Sequence, residues 1–142
     1  MNMLQTEWWT IAVPLEWWAD QEDETILIGD RDDVGCIEIT TLLQDKVTFD
    51  EEEVRDIANS DREIPINWEL MSLHDFDGIY GCYEEEKHSI REWYLSNGPL
   101  LLFISYTCEL ENEEMDITVV NQILETIEPI ELKKDQLLEI GL

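Results

Sequence analysis

The sequence predicts an α+β fold in which an antiparallel β-sheet of about seven strands is flanked by helices. Seven β-rich segments alternate with turn-forming residues such as Asn97-Gly98. Two further segments carry apolar residues at helical spacing, one after the third strand and one after the seventh. Because the strands follow one another in groups, hairpins should connect most of them. The predicted element order is βββαββββα.

Three strands are predicted before the first helix. Residues 8–13 are rich in aromatic and β-branched side chains and end at Pro14, which suits a first strand. Residues 25–28 and 35–40 flank the run 29–33, whose glycine and aspartates favour a turn. These two strands should therefore form a hairpin.

The first helix is predicted to begin at Thr48, because Glu51 follows three residues later in the pattern of a capping box. The acids of residues 50–53 would occupy its first turn, where the helix dipole favours negative charge. Its apolar stripe would consist of Phe49, Val54, Ile57 and Ala58. The helix should end near residues 59–60, before Pro65.

Four more strands are predicted at residues 66–76, 79–85, 88–95 and 100–108. Asp77-Gly78 and Asn97-Gly98 are strong hairpin signals, and the polar run 84–87 separates the middle pair. The run 100–106 is apolar at almost every position, which predicts an interior strand covered on both faces.

The second helix is predicted to open at Asn112-Glu113-Glu114 and to end before Pro129. Its apolar stripe would consist of Met115, Val119, Val120, Ile123, Leu124 and Ile127. The predicted core includes Ile39, Trp68, Trp93, Leu102, Ile104, Val120 and Ile123.

The 142 residues are predicted to form one domain with a short C-terminal extension, residues 129–142. In this extension Leu137, Leu138 and Ile140 should pack against something, because a solvated terminus rarely carries so many aliphatic residues. They could cover the protein's own sheet, or contact a second copy and make a homodimer.

The formal net charge is −27, from 35 acidic and 8 basic residues. Such a chain repels phosphates and anionic lipid, so neither a nucleic-acid partner nor a membrane partner is expected. The longest apolar run, residues 100–104, is far shorter than the roughly 20 residues of a membrane helix. Residues 1–10 contain neither Lys nor Arg, whereas a signal peptide begins with a positively charged segment. We therefore expect a cytoplasmic protein.

The sequence contains no motif that predicts catalysis, a cofactor or a metal site. Cys36, Cys82 and Cys108 are widely spaced inside apolar runs, so buried free thiols are expected instead of a disulfide or a zinc site. His74 and Asp75 would point to opposite faces of a strand, so they do not make a catalytic pair. A hydrolase or metal-dependent enzyme is accordingly disfavoured.

Two short patterns resemble metal-binding motifs but lack required residues. Residues 30–35 resemble the start of a calcium loop, yet Val34 and Thr41 stand where oxygen ligands are needed. Glu85-x-x-His88 has the spacing of a di-iron ligand pair, but that pair requires a helix and a second copy. A hairpin turn explains the first pattern, and chance spacing explains the second.

Over about residues 8–128 the chain resembles the PsbP-like superfamily. The resemblance rests on an entry through Val13-Pro14 followed by Trp17, a hairpin over 26–39, a helix after Thr48 and a meander over 68–108. The C-terminal helix ending in Ile123-Leu124-Glu125-Thr126-Ile127 also fits. The superfamily includes the PsbP subunit of photosystem II, a nuclear-import factor that binds the GTPase Ran, and DcrB-type bacterial proteins. The resemblance implies an antiparallel sheet covered by helices, in a family that mostly works by docking to partners.

Acidic runs and one tryptophan are the candidate binding residues. They could simply be solvated loops and helix starts, or they could form a negative face that steers a basic partner. A net charge of −27 exceeds the magnitude of roughly 2–8 that solubility requires of a small domain, which favours the second interpretation. The interface candidates are Trp18, Glu22, Asp23, Glu24, Glu84, Glu85, Glu86, Glu111, Glu113 and Glu114.

The sequence therefore predicts a non-enzymatic cytoplasmic interaction module that docks to a basic protein partner. One specific form is an immunity-type inhibitor that covers the positive face of a toxin. The alternative is a structural or assembly adaptor of a secretion or envelope system.

Overall fold

The computed structural model describes residues 1–44 and 48–130, which form two antiparallel sheets and two α-helices. In chain order the elements are β1 (Asn2–Gln5), β2 (Trp9–Val13), β3 (Trp17–Glu22), β4 (Thr25–Asp30), β5 (Gly35–Leu43), α1 (Glu51–Asn59), β6 (Glu69–Leu73), β7 (Phe76–Glu85), β8 (His88–Asn97), β9 (Leu100–Glu109), α2 (Ile117–Leu124) and β10 (Glu128–Pro129). The large sheet has the strand order β3-β4-β5-β9-β8-β7-β6, and the small sheet has the order β1-β2-β10. The predicted α+β fold is confirmed.

The first predicted strand does not belong to the large sheet. β2 pairs with β1 and β10, and β3 takes its place as a large-sheet edge. β1 and β3 are not predictable from the sequence, because both are mostly exposed edge strands, which show no alternation of buried and polar positions. The predicted count of seven strands is right, although one of the strands is different.

Both faces of the large sheet are covered, by different elements. On one face α1 packs through Val54 and Ala58 onto Ile79, Tyr94 and Leu101. On the other face α2 and β2 enclose a larger core. The largest side chains of that core are Trp9, Trp93, Phe76, Ile11, Ile28, Ile37, Ile39, Leu95, Leu102 and Ile104. In the described chain, no helix is long and apolar enough to span a membrane.

The turn between β6 and β7 is not at Asp77-Gly78, as predicted, but at His74-Asp75. Leu73 pairs with Phe76 across this turn, and His74 has a positive φ of 51°. Gly78 lies inside β7, where a Cβ atom would stand 1.8 Å from the backbone oxygen of Tyr94. The glycine therefore permits close strand contact and does not make a turn.

Both helices begin later than predicted. The N-cap of α1 is Asp50, whose carboxylate accepts a hydrogen bond from the backbone N–H of Glu53 at 2.8 Å. A capping box therefore exists, but two residues after the predicted one at Thr48. A 3₁₀ turn at Leu110–Asn112 precedes α2, whose N-cap is Asp116.

The predicted core is confirmed except at Trp68, which is half-buried because its indole lies at the edge of the α1 cluster. The three cysteines are free, but only Cys108 is buried as expected, because Cys36 is half-buried and Cys82 is exposed. Its strand, β7, alternates between covered and open positions. The predicted packing of Leu137, Leu138 and Ile140, and the homodimer built on it, lie outside the described residues.

Candidate functional site

One end of the large sheet gathers two of the predicted acidic runs. The register pairs Glu85 with His88 and His88 with Glu109, so the end of β7 and the end of β9 are neighbours. The backbone N–H of Leu110 also donates to the carbonyl of Lys87 at 2.8 Å. Residues 84–86 and 109–114 are therefore neighbours in space, and we call this region the acidic end.

The third run, Glu22, Asp23 and Glu24, lies at the opposite end of the sheet. Glu22 ends β3, and Asp23 and Glu24 form the turn to β4, where Thr25 pairs with Thr40. Their acids are exposed, and the structure does not bring them to the acidic end.

Trp18 lies on the acidic-end side of the sheet but at its far edge. Five strand spacings separate β3 from β7, which is roughly 24 Å. The indole lies over Gly29 and donates a hydrogen bond from Nε1 to the carbonyl of Asp30 at 3.0 Å, yet 40% of the residue is exposed. Trp18 therefore cannot share one small contact site with residues 84–86.

A groove of about 390 Å³ opens on the α1 face of the acidic end. Four acidic residues, Asp61, Glu63, Glu84 and Glu85, line it together with Arg62. Ile64, which is 73% exposed, adds apolar surface to the same lining. We call this feature the acidic groove; it combines negative charge with exposed apolar surface.

The groove rests on a buried ion pair between Arg62 and Glu92. The guanidinium contacts both carboxylate oxygens of Glu92, whose residue is 4% exposed. The hydroxyls of Tyr83 and Tyr94 also donate to this carboxylate. Arg62 lies 5.1 Å from the ring centre of Trp68, within cation–π range. This network fixes Tyr83, which lines the groove, and the segment that follows α1.

The protonation states of this network follow from its contacts. Burial lowers the pKa of Arg62, but the hydrogen bonds and charge of Glu92 outweigh it and raise that pKa above its usual value. Burial, followed by the charge of Glu92, raises the pKa of Tyr94 to about 12. Arg62 therefore stays charged, and it is committed to Glu92. The charge of the acidic groove is then set by Asp61, Glu63, Glu84 and Glu85.

A second pair of carboxyl groups, Asp30 and Asp116, joins the β4–β5 turn to the start of α2. Asp30 is 8% exposed and accepts a hydrogen bond from the N–H of Val34 at 2.9 Å. Burial, followed by the hydrogen bond and charge of Asp30, raises the pKa of Asp116 to about 6. The hydroxyl of Tyr106 lies 3.3 Å from Asp116 Oδ2. Within residues 1–44 and 48–130, no three metal-ligating side chains converge on one point.

Sequence reasoning found Glu84 and Glu85 but missed Arg62, Glu92 and Ile64 as parts of the same site. One signal was available, because Glu92 is a charged residue at the same strand parity as Tyr94, which faces α1. A carboxylate on a covered face requires a cationic partner. The identity of that partner depends on the tertiary fold.

The fold is shared with solved structures of low sequence identity. No protein-family model matches the sequence, and no curated protein sequence matches it. A protein of Bacteroides thetaiotaomicron is 16% identical, with a TM-score of 0.64 over 87% of this chain and 46% of that one. This chain thus spans about half the length of that protein.

Two further structures match over most of their own lengths. LpqN of Mycobacterium tuberculosis, described as involved in cell envelope biogenesis, is 14% identical, with a TM-score of 0.60 over 87% of this chain and 83% of LpqN. The PsbP protein of Synechocystis, CyanoP, is 10% identical, with a TM-score of 0.58 over 86% of both chains. The chain therefore has a PsbP-like fold, and at these identities the likeness concerns the fold alone.

Proposed function

We propose that this chain is a non-enzymatic interaction module whose acidic end binds a basic protein partner. The observation that carries the proposal is the acidic groove, which four acidic residues line together with the exposed Ile64. Lysine and arginine side chains fit such a groove, because their aliphatic stems pack on apolar surface while their charges meet carboxylates.

The charge of the whole chain supports the same proposal. A net charge of −27 produces a long-range field that accelerates encounter with a positive surface. Residues 109–114 extend the negative surface beyond the groove, toward β9 and α2. A flat basic surface would contact both acidic runs, whereas a short basic peptide would fill the groove alone.

The more specific form of the proposal is an immunity-type inhibitor in the cytoplasm, which neutralises a toxin by covering its basic active face. Acidity and small size support this form. Such an inhibitor needs complementary charge over a broad face, which residues 84–86 and 109–114 would supply together.

The second candidate function is a structural or assembly adaptor of a secretion or envelope system. Its support is the fold shared with LpqN, which is described as involved in cell envelope biogenesis. An adaptor that uses an apolar interface would keep its partner at high salt, whereas docking through the acidic end would not.

The test compares two variants of equal charge. One variant replaces residues of the acidic groove, E63Q/E84Q/E85Q, and the matched control replaces the opposite end, E22Q/D23N/E24Q. Both are used as bait in native lysate at about 0.1 M and ~0.5 M salt, together with the wild type. The probe of defined composition is an arginine-rich peptide, whose binding is measured by calorimetry.

The proposal predicts that the groove variant loses the main partner and binds the peptide at least about tenfold more weakly. The control should behave as the wild type, and the wild type should release its partner at ~0.5 M salt. An equal loss of binding in both variants would show that binding depends on the total charge of the chain and not on the groove. A partner retained by the groove variant at high salt would favour the adaptor.

A further inference from the structure

A separate pocket lies on the opposite face of the large sheet, between β6, β7, β8 and α2. Its volume is about 270 Å³, and Tyr80, Arg91 and Trp93 contribute to its wall from the sheet. α2 contributes Asn121 and Leu124. We call it the α2 pocket.

Arg91 makes no ion pair with a carboxylate of the described residues. It is half-buried, and no carboxylate among them lies within 4.0 Å of its guanidinium. Arg62 and Arg55 have such a partner, whereas Arg31 contacts the carbonyl of Leu15 instead. Because a half-buried charge is costly when unpaired, this arginine points to an external anion.

Trp93 supplies a second, independent observation in the same pocket. The residue is 1% exposed, and its Nε1 is a buried donor without a hydrogen-bond partner among residues 1–44 and 48–130. Buried polar atoms are nearly always satisfied, so an unsatisfied one requires an explanation. The indole N–H can only donate. The N–H is closed to solvent, so a ligand satisfies it only if the indole or the pocket wall moves and the ligand carries an acceptor.

The pocket determines the class of that ligand. A guanidinium matches a carboxylate with two parallel hydrogen bonds. The rings of Tyr80 and Trp93, 5.2 Å apart, and the side chain of Leu124 can receive an apolar group. Glu125 also lines the pocket and disfavours a dianion such as a phosphate monoester. The volume corresponds to about nine water molecules, which is the scale of a small molecule.

We propose that the α2 pocket binds the carboxylate of a small organic acid with an apolar body. Arg91 holds the carboxylate, and a movement of the pocket wall lets the Trp93 N–H donate to the ligand; the exposed Asn121 also lines the pocket. Screening shortens the reach of the other acids to about 8 Å at physiological salt, so the net negative charge does not prevent local binding. The same chemistry occurs in a free acid and in the C-terminal residue of a peptide.

The first experiment uses phenylacetate as the probe and phenylacetamide as its neutral counterpart. Calorimetry on the full chain should detect binding of phenylacetate. The affinity for phenylacetamide should be at least about tenfold lower. In a ¹⁵N spectrum the indole N–H signal of Trp93 should move more than the signals of the other five tryptophans. The proposal is overturned if no binding is seen up to about 10 mM phenylacetate, or if acid and amide bind equally.

Two variants and a matched control locate the site. Arg91→Gln should weaken phenylacetate at least about tenfold, whereas Arg55→Gln, an arginine on α1 at the other face, should not change it. Asn121→Asp places a carboxylate beside the pocket at an exposed helix position, so it tests the site even if Arg91→Gln does not fold. Unchanged binding in the folded variants would refute the proposal.

A final comparison separates the two sources of the carboxylate. Acetyl-Ala-Phe with a free C-terminus is titrated against the same peptide with an amidated C-terminus. Tighter binding of the free peptide than of phenylacetate would identify a peptide C-terminus as the ligand. Tighter binding of phenylacetate would identify a free small acid. Binding of the amidated peptide as tight as that of the free one would contradict carboxylate recognition.

Discussion

The carboxylate of Glu92 is the most informative single group in the molecule. It is 4% exposed, and it is tolerated there because Arg62 and two tyrosine hydroxyls satisfy its oxygens. A buried ion pair of this kind adds little net stability over an apolar pair, but removal of one partner leaves an uncompensated charge. The pair therefore positions the wall of the acidic groove and makes the fold sensitive to its loss.

The first prediction concerns this pair. Arg62→Gln should lower the free energy of unfolding by about 3 kcal/mol, because the Glu92 carboxylate is left buried without a cation. Arg55→Gln, which removes an exposed i,i+4 partner of Glu51, should cost at most about 0.5 kcal/mol. Urea denaturation measures both, and both variants change the net charge equally.

The double variant R62Q/E92Q provides the internal check on this prediction. It removes both charges, so it should be less destabilised than Arg62→Gln alone. If Arg62→Gln is no more harmful than Arg55→Gln, Glu92 is not buried as described.

The second prediction concerns the pH dependence that Asp116 imposes on stability. Its pKa in the fold is about 6, above the ordinary carboxyl value, because burial and Asp30 disfavour its charge. The folded chain therefore holds this proton more tightly than the unfolded chain. The associated stability is fully present below about pH 4 and is lost as the pH rises through about 6.

Asp116→Asn mimics the protonated group, so it should stabilise the protein at about pH 7.5. A gain of about 1 kcal/mol is expected after an allowance for the partial exposure of this side chain. The gain should vanish near pH 4. Glu22→Gln makes the same change in net charge at the opposite end and should show no such pH dependence. A gain that is equal at both pH values would contradict the prediction.

At the scale of elements, the hydrophobic pattern of the sequence predicted most strands and both helices. The residues at which they begin and end depend on tertiary contacts. The interior strand β9 and the stripe of α2 were predictable because burial imposes a clear period on their residues. β3 was not predictable, since its residues Trp17–Glu22 are mostly exposed and it is held by pairing with β4. Asp77-Gly78 predicted a turn, but Gly78 is needed because the backbone of β8 passes close to it. No local sequence pattern reveals that contact between strands.

The third prediction tests the start of α1. Asp50→Ala removes the side-chain cap on the N–H of Glu53 and should cost about 1 kcal/mol. Thr48→Ala is the matched control, because Thr48 was the cap predicted from sequence and lies outside the helix. Thermal denaturation should show a lower midpoint for Asp50→Ala alone. A larger decrease of the midpoint in Thr48→Ala would instead indicate that Thr48 is the N-cap.

On the scale of the whole molecule, the sequence identified the acids but not their arrangement. Residues 84–86 and 109–114 meet because β8 pairs with both β7 and β9. Residues 22–24 are separated from them by the length of the sheet, although they read as the same kind of run. The register between strands determines which acidic residues can contact the same partner. This register is set only when the full sheet forms.

The last prediction follows from this uneven distribution of charge. With a net charge of −27, the folded chain is destabilised by repulsion between its own acids. An increase from about 0.01 M to ~0.15 M sodium chloride shortens the screening length from about 30 Å to about 8 Å. The melting temperature of the wild type should therefore rise over this range. A flat response would mean that the acids are paired or well separated.

Two variants that both change the net charge from −27 to −24 test which part of the surface contributes most of the repulsion. E84Q/E85Q/E86Q relieves the acidic end, where residues 109–114 lie beside the β7–β8 turn, and E22Q/D23N/E24Q relieves the opposite end. At low salt the first variant should melt at a higher temperature than the second, and its rise with salt should be smaller. Because total charge is the same in both, a difference between them measures crowding at the acidic end alone. Equal curves would show that the repulsion is spread over the whole surface.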